Sequence, residues 1–201
     1  MKDGTTQFGR IVWPLIMCLL FQLSCTKSEE EEISRDSQII EQGRYLVTIA
    51  GCHDCHTPKL YTDKGRILDQ TRLLSGHPAE AALPEFDVNR VAPDDWILFN
   101  SHMTAAVGPW GVSFAANLTP DEETGMGLWS VEAFTASMRT GLHWGVGPQI
   151  LPPMYWRNFS KASEKDLRAI FAYLKSVEPV KNDVPLPLTL EELSERSGAK
   201  D

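Results

Sequence analysis

Residues 52–56 read Cys52-His53-Asp54-Cys55-His56, two cysteines two residues apart with a histidine immediately after. Three chemistries use such a pair. A redox disulfide of thioredoxin type needs a strand before the motif and a helix after it. Here a segment with helical periodicity precedes it, and the loop pair Thr57-Pro58 follows. A structural zinc site needs a second ligand pair of comparable spacing, and the remaining cysteines, Cys18 and Cys25, do not supply one. The third chemistry is covalent haem attachment. Two thiols separated by two residues reach two vinyl groups on one porphyrin edge, and the next residue projects an imidazole onto the iron. On this reading Cys52 and Cys55 form the thioethers, His56 is the proximal iron ligand, and a single motif means one covalent haem c. His53, inside the motif, is filler rather than ligand.

The N-terminus supports that reading by its address. Lys2 and Arg10 stand against Asp3, and residues 11–23 are almost wholly apolar. The run is shorter than the roughly 20 residues a membrane-spanning helix takes and fits the apolar part of a secretory signal. Ser24-Cys25 resembles the lipobox of bacterial lipoproteins, with Gln22 where leucine is usual. This predicts a signal peptide over 1–24, lipidation of Cys25 and an acidic tether over 25–36 that includes Glu29 to Glu32. A plain cleaved signal and an uncleaved short anchor are the alternatives. All three export the domain, to the periplasmic or cell-surface face of a bacterial membrane. The net charge of −8 argues against a nucleic-acid partner, which needs a basic face.

Haem iron has a second axial position. Met154 is the favoured distal ligand, because Pro152 and Pro153 just before it restrict the backbone and can hold a thioether in place at little entropic cost. His143 in a glycine-rich loop is its rival. Met138 lies at core spacing on a helix, and Met126 between two glycines reads as a loop filler. Apolar periodicity predicts helices over about 37–50, 131–140 and 164–177. Ser130 and Ser163 are the expected N-caps, and Ser163 forms a capping-box pattern with Asp166. Gly43 in the first helix suggests close approach by another helix. The stretch 57–118 is long and irregular, with room for a short hairpin or an extra helix near 94–102. Together these elements predict an all-α domain over 37–180 with long irregular loops, then a C-terminal tail over 181–201 that wraps the surface or frays.

Gly43-Arg44-Tyr45-Leu46-Val47 leading into the cysteine motif resembles the first helix and haem site of class I c-type cytochromes. Ala116-Asn117-Leu118-Thr119-Pro120-Asp121, Thr124-Gly125-Met126-Gly127-Leu128-Trp129-Ser130 and Met154 with the last helix are more specific. They resemble the haem modules of cytochrome c subunits that serve bacterial membrane alcohol, aldehyde and gluconate dehydrogenases. The resemblance covers roughly 38–180. It implies a cytochrome c-like fold in which the first and last helices cross, with Gly43 set against Tyr173. The chain departs from the pattern in carrying one attachment motif rather than several, and in having Tyr155 where proline usually follows the distal methionine.

The expected function is a single-haem electron carrier or relay with His56/Met154 ligation, not an enzyme in itself. Its partners would be a dehydrogenase donor and an oxidase or cytochrome acceptor. Trp129, Phe134, Leu151, Tyr155, Trp156 and Phe171 would supply an apolar shell. The alternative is a haem enzyme or gas-binding sensor with an open or displaceable distal site.

Overall fold

The computed structural model describes residues 34–87, 91 and 96–198. The signal segment, Cys25 and most of the tether lie outside the described residues. The chain divides into two units, 1–39 and 40–201. In the first, residues 34–39 are helical and exposed. Helix α1 is thus already formed at residue 34, and it runs to 49.

In the second unit α1 buries Gly43 and Val47, with Ile40 and Leu46 half-buried. That is a helical stripe, and it leaves Ile39 and Ala50 outside. The short helix α2 (Cys52–His56) follows directly. Helix α3 (Val131–Thr140) starts at Ser130, whose hydroxyl accepts from the Ala133 amide at 3.2 Å, and stops at Gly141, which turns left-handed with φ 74°. A single turn, α4 (Trp156–Phe159), precedes the last long helix. Helix α5 (Glu164–Ser176) starts at Ser163, which accepts from the Asp166 amide at 3.1 Å and donates to the Asp166 carboxylate at 2.7 Å. Each cap satisfies an amide that has no partner inside its own helix.

Helices α1, α3 and α5 enclose Val47, Leu74, Met126, Phe134, Met138, Leu167, Ile170, Phe171 and Leu174. Phe134 and Phe171 pack ring to ring at 5.5 Å. Burying each of the larger side chains contributes about 1.5–3 kcal/mol. Where α1 meets α5 the backbones touch. A Cβ on Gly43 would lie 1.9 Å from the Ala169 carbonyl oxygen and 2.7 Å from the Tyr173 Cβ. The glycine is therefore set against Tyr173, as the resemblance implied.

The all-α expectation is corrected by two antiparallel sheets within 57–118. β1 (Lys59–Thr62) and β2 (Gly65–Leu68) form a hairpin with Thr62 opposite Gly65. β3 (Leu98–Phe99), β4 (Ala105–Gly108) and β5 (Gly111–Phe114) form a three-stranded sheet in that order. A strand, not a helix, occupies the described part of 94–102. All four residues of β4 are buried. A strand covered on both faces lacks the polar alternation that would mark it in a sequence.

The segment after α5 is packed. Asn182 is buried, and its amide group donates to the Ser75 and His77 carbonyls at 2.7 and 2.8 Å. Its side-chain oxygen accepts from the Ala79 amide at 3.0 Å. Leu188 exchanges two backbone hydrogen bonds with Val112, at 2.8 and 3.0 Å, beside β5. Helix α6 (Leu190–Gly198) then places Leu193 against Val91, Val107 and Val112.

Gly43→Ala tests the helix contact. The obstructing atoms are backbone, which cannot swing aside, so overpacking should destabilise the protein by about 2 kcal/mol or more. Urea unfolding should show a lower midpoint with an unchanged slope.

Candidate haem-attachment site

Helix α2 has only five residues, and Gly51, left-handed at φ 69°, separates it from α1. One helical turn puts Cys52, Cys55 and His56 at i, i+3 and i+4, on the same face. Both cysteines are half-buried free thiols. Burial pushes the Cys52 thiol up to about 11 and raises the Cys55 thiol as well. A reactive redox dithiol has the opposite character, since its attacking sulfur is a stabilised thiolate.

His56 is aimed by one hydrogen bond. Its Nδ1 lies 2.8 Å from the Ala116 carbonyl oxygen. A carbonyl can only accept, so Nδ1 carries the proton and Nε2 keeps its lone pair. Burial is the main cause that lowers the pKa of this imidazole and favours its neutral form. A neutral histidine whose other nitrogen is tied to a carbonyl is the arrangement that ligates metals. The donor set of this helix therefore fits a covalent haem.

The acceptor is held by two chain segments lying side by side. The His56 carbonyl accepts from the Gly76 amide at 2.8 Å, the His77 amide donates to Ala115 at 2.8 Å, and the Leu118 amide donates to Leu74 at 2.9 Å. Gly76 is left-handed at φ 81°, and a Cβ there would lie 2.4 Å from the Ala115 carbonyl oxygen. Thr57 is fully buried. Its hydroxyl accepts from the Leu74 amide at 2.9 Å and pairs with His53 Nδ1 at 2.9 Å. His53 thus has a bonding partner within the loop.

Met154 and Cys52 border the same helical core cluster, each partly buried. The Met154 amide donates to the Leu151 carbonyl at 3.3 Å, and Ser113 on β5 donates to the Pro152 carbonyl at 2.5 Å. Met138 is a core residue, as expected. Met126 is one too, rather than a loop filler, and its amide donates to the Thr119 carbonyl at 2.7 Å. The Met103 sulfur accepts from Arg66 at 3.3 Å. His143 is exposed, with its ring edge-on to Trp129 at 4.9 Å. Of the expected apolar shell, Phe134 and Phe171 are buried and Tyr155 is 72% exposed. Among the described residues no group of three or more His, Cys, Asp or Glu side chains could hold a metal ion.

Three residues at this site stand out only in the folded chain: Ala116, Thr57 and Lys59. Ala116 acts through its backbone. Thr57 and Lys59 flank Pro58 directly after the motif, and that adjacency is the one signal the sequence holds. Thr57→Val should leave the buried Leu74 amide without an acceptor, at a cost of about 1–3 kcal/mol. Chemical denaturation would read this as a lower midpoint at constant slope.

No family model matches the chain. It is 28% identical over 152 residues to a nicotinate dehydrogenase subunit of Pseudomonas putida, covering 76% of this chain and 10% of that protein. It is 26% identical over 146 residues to the cytochrome c subunit of the quinone alcohol dehydrogenase of Gluconobacter oxydans, covering 72% and 23%. It is 25% identical over 158 residues to the gluconate 2-dehydrogenase cytochrome c subunit of Pantoea cypripedii, covering 76% and 27%. The chain spans about a quarter or less of the length of these relatives. Over about three quarters of its own length it resembles the cytochrome c subunits of bacterial alcohol, gluconate and fructose dehydrogenases, as its motifs implied.

Proposed function

We propose that this protein is a single-haem c-type cytochrome that carries or relays electrons, with His56 and Met154 as axial ligands. The observation that carries the proposal is the hydrogen bond from His56 Nδ1 to the Ala116 carbonyl, on the same helical turn as two free thiols. The resemblance to dehydrogenase cytochrome c subunits supports it. When bound, the haem supplies an iron that takes up and returns one electron. Cys52 and Cys55 would each add an S–H across a vinyl double bond, forming a thioether with no net redox change. The buried side chains of Leu167, Phe134 and Phe171 exclude water from the core that Cys52 and Met154 border. A methionine thioether favours the reduced iron relative to a second imidazole.

Two protein ligands leave no open coordination position, which favours a carrier over an enzyme. The partners proposed are a dehydrogenase as donor and an oxidase or another cytochrome as acceptor. The net charge of −8 would steer the protein towards basic docking faces. Export, cleavage before Cys25 and a lipid anchor on that cysteine complete the proposal. Among the described residues no helix is long and apolar enough to cross a membrane.

Mass spectrometry of the mature protein should find one covalent haem and an acylated Cys25; a chain without the haem mass overturns the reading. In the oxidised holoprotein Met154→Ala should abolish the sulfur-to-iron band at the red end of the spectrum while the haem stays attached. An unchanged band would assign the distal position to another residue. Rapid, complete carbon monoxide binding to the reduced wild type at neutral pH would favour the alternative, a haem enzyme or gas-binding sensor.

A further inference from the structure

Lys59 is 6% exposed. Among the described side chains it is the only lysine, arginine or carboxylate that is buried. It is not aimed at a carboxylate. Its Nζ donates to the His53 carbonyl at 3.0 Å, to the Asp54 carbonyl at 2.8 Å and to the Thr57 carbonyl. An ammonium has three N–H donors and no acceptor, and here three carbonyls receive them.

Those carbonyls belong to the end of α2. A helix leaves its last four carbonyls without internal partners, and in a five-residue helix that is nearly all of them. The His56 carbonyl is satisfied by Gly76, and those of His53 and Asp54 by Lys59. The root of the Lys59 side chain is also fixed. Its amide donates to His102 Nδ1 at 3.2 Å, and the neighbouring Pro58 carbonyl accepts from the Asp69 amide at 2.9 Å. Burying an ammonium costs several kcal/mol. A neutral donor could cap carbonyls without that cost, so a retained charge calls for a role of its own.

Resting on the function proposed above, we propose that Lys59 is a positioning residue of the haem site. Its ammonium clamps the end of the helix that presents Cys52, Cys55 and His56, and holds a positive charge there that favours the reduced over the oxidised iron.

The test is spectroelectrochemical titration of the full, matured holoprotein as wild type, Lys59→Met, Lys59→Gln and Lys59→Arg. Pyridine haemochrome spectra confirm equal haem content. At a fixed ambient potential both neutral variants should show about a tenfold lower ratio of reduced to oxidised protein. That corresponds to a midpoint about 59 mV lower. Lys59→Arg, which keeps the charge, should restore most of the wild-type midpoint, a rescue that a purely space-filling role would not predict. Lys59→Gln keeps a donor and carries the measurement if Lys59→Met does not mature. A wild-type midpoint in a folded, haem-loaded neutral variant overturns this inference and leaves the cytochrome reading intact. A wild type without haem overturns the cytochrome reading first.

Discussion

The proposed site depends on one hydrogen bond, from the His56 imidazole to the Ala116 carbonyl. A five-residue helix can put two thiols and an imidazole on one face, but it cannot choose which ring nitrogen points outward. That choice needs an acceptor from elsewhere in the chain. Supplying it requires 74–77 and 115–118 to run side by side, and at that contact only Gly76 leaves room for the opposing backbone.

Two layers of support converge on this contact. From the helical side, α1 leads directly into α2, and α1 is locked to α5 by backbone contact at Gly43. From the loop side, Asn182 draws the segment after α5 onto Ser75 and His77, directly beside Gly76. Asn117, next to Ala116, donates to the Val180 carbonyl at 2.8 Å. The segment that follows the last core helix therefore braces the two chain segments that aim His56. Lys59 completes the arrangement from the open end of α2, where short helices are weakest.

Much of the helical frame was legible in the sequence. Ser130, Gly141 and Ser163 mark helix ends by local chemistry, and Gly43 announced a close helix contact. The strands were not legible. β4 is buried throughout and β3 has two residues, so neither carries a period of its own. Met126 looked like a loop residue because glycines flank it, yet a hydrogen bond to Thr119 turns it into the core.

The amino-acid sequence by itself determined the chemistry on offer: two thiols and an imidazole at fixed spacing, a restricted methionine segment, and ends of the long helices. Of the helix ends, those of α3 and the start of α5 were set this way, whereas α1 is already formed at residue 34, ahead of the expected 37; what was fixed locally was set by neighbours a few residues apart. Only the tertiary structure decided which nitrogen of His56 is tied back, that Thr57 holds Leu74, and that a lysine side chain ends among three carbonyls. Those outcomes need partners as far as 60 residues away in the chain. Backbone carbonyls are the same at every position, so no residue type marks the one that will be used.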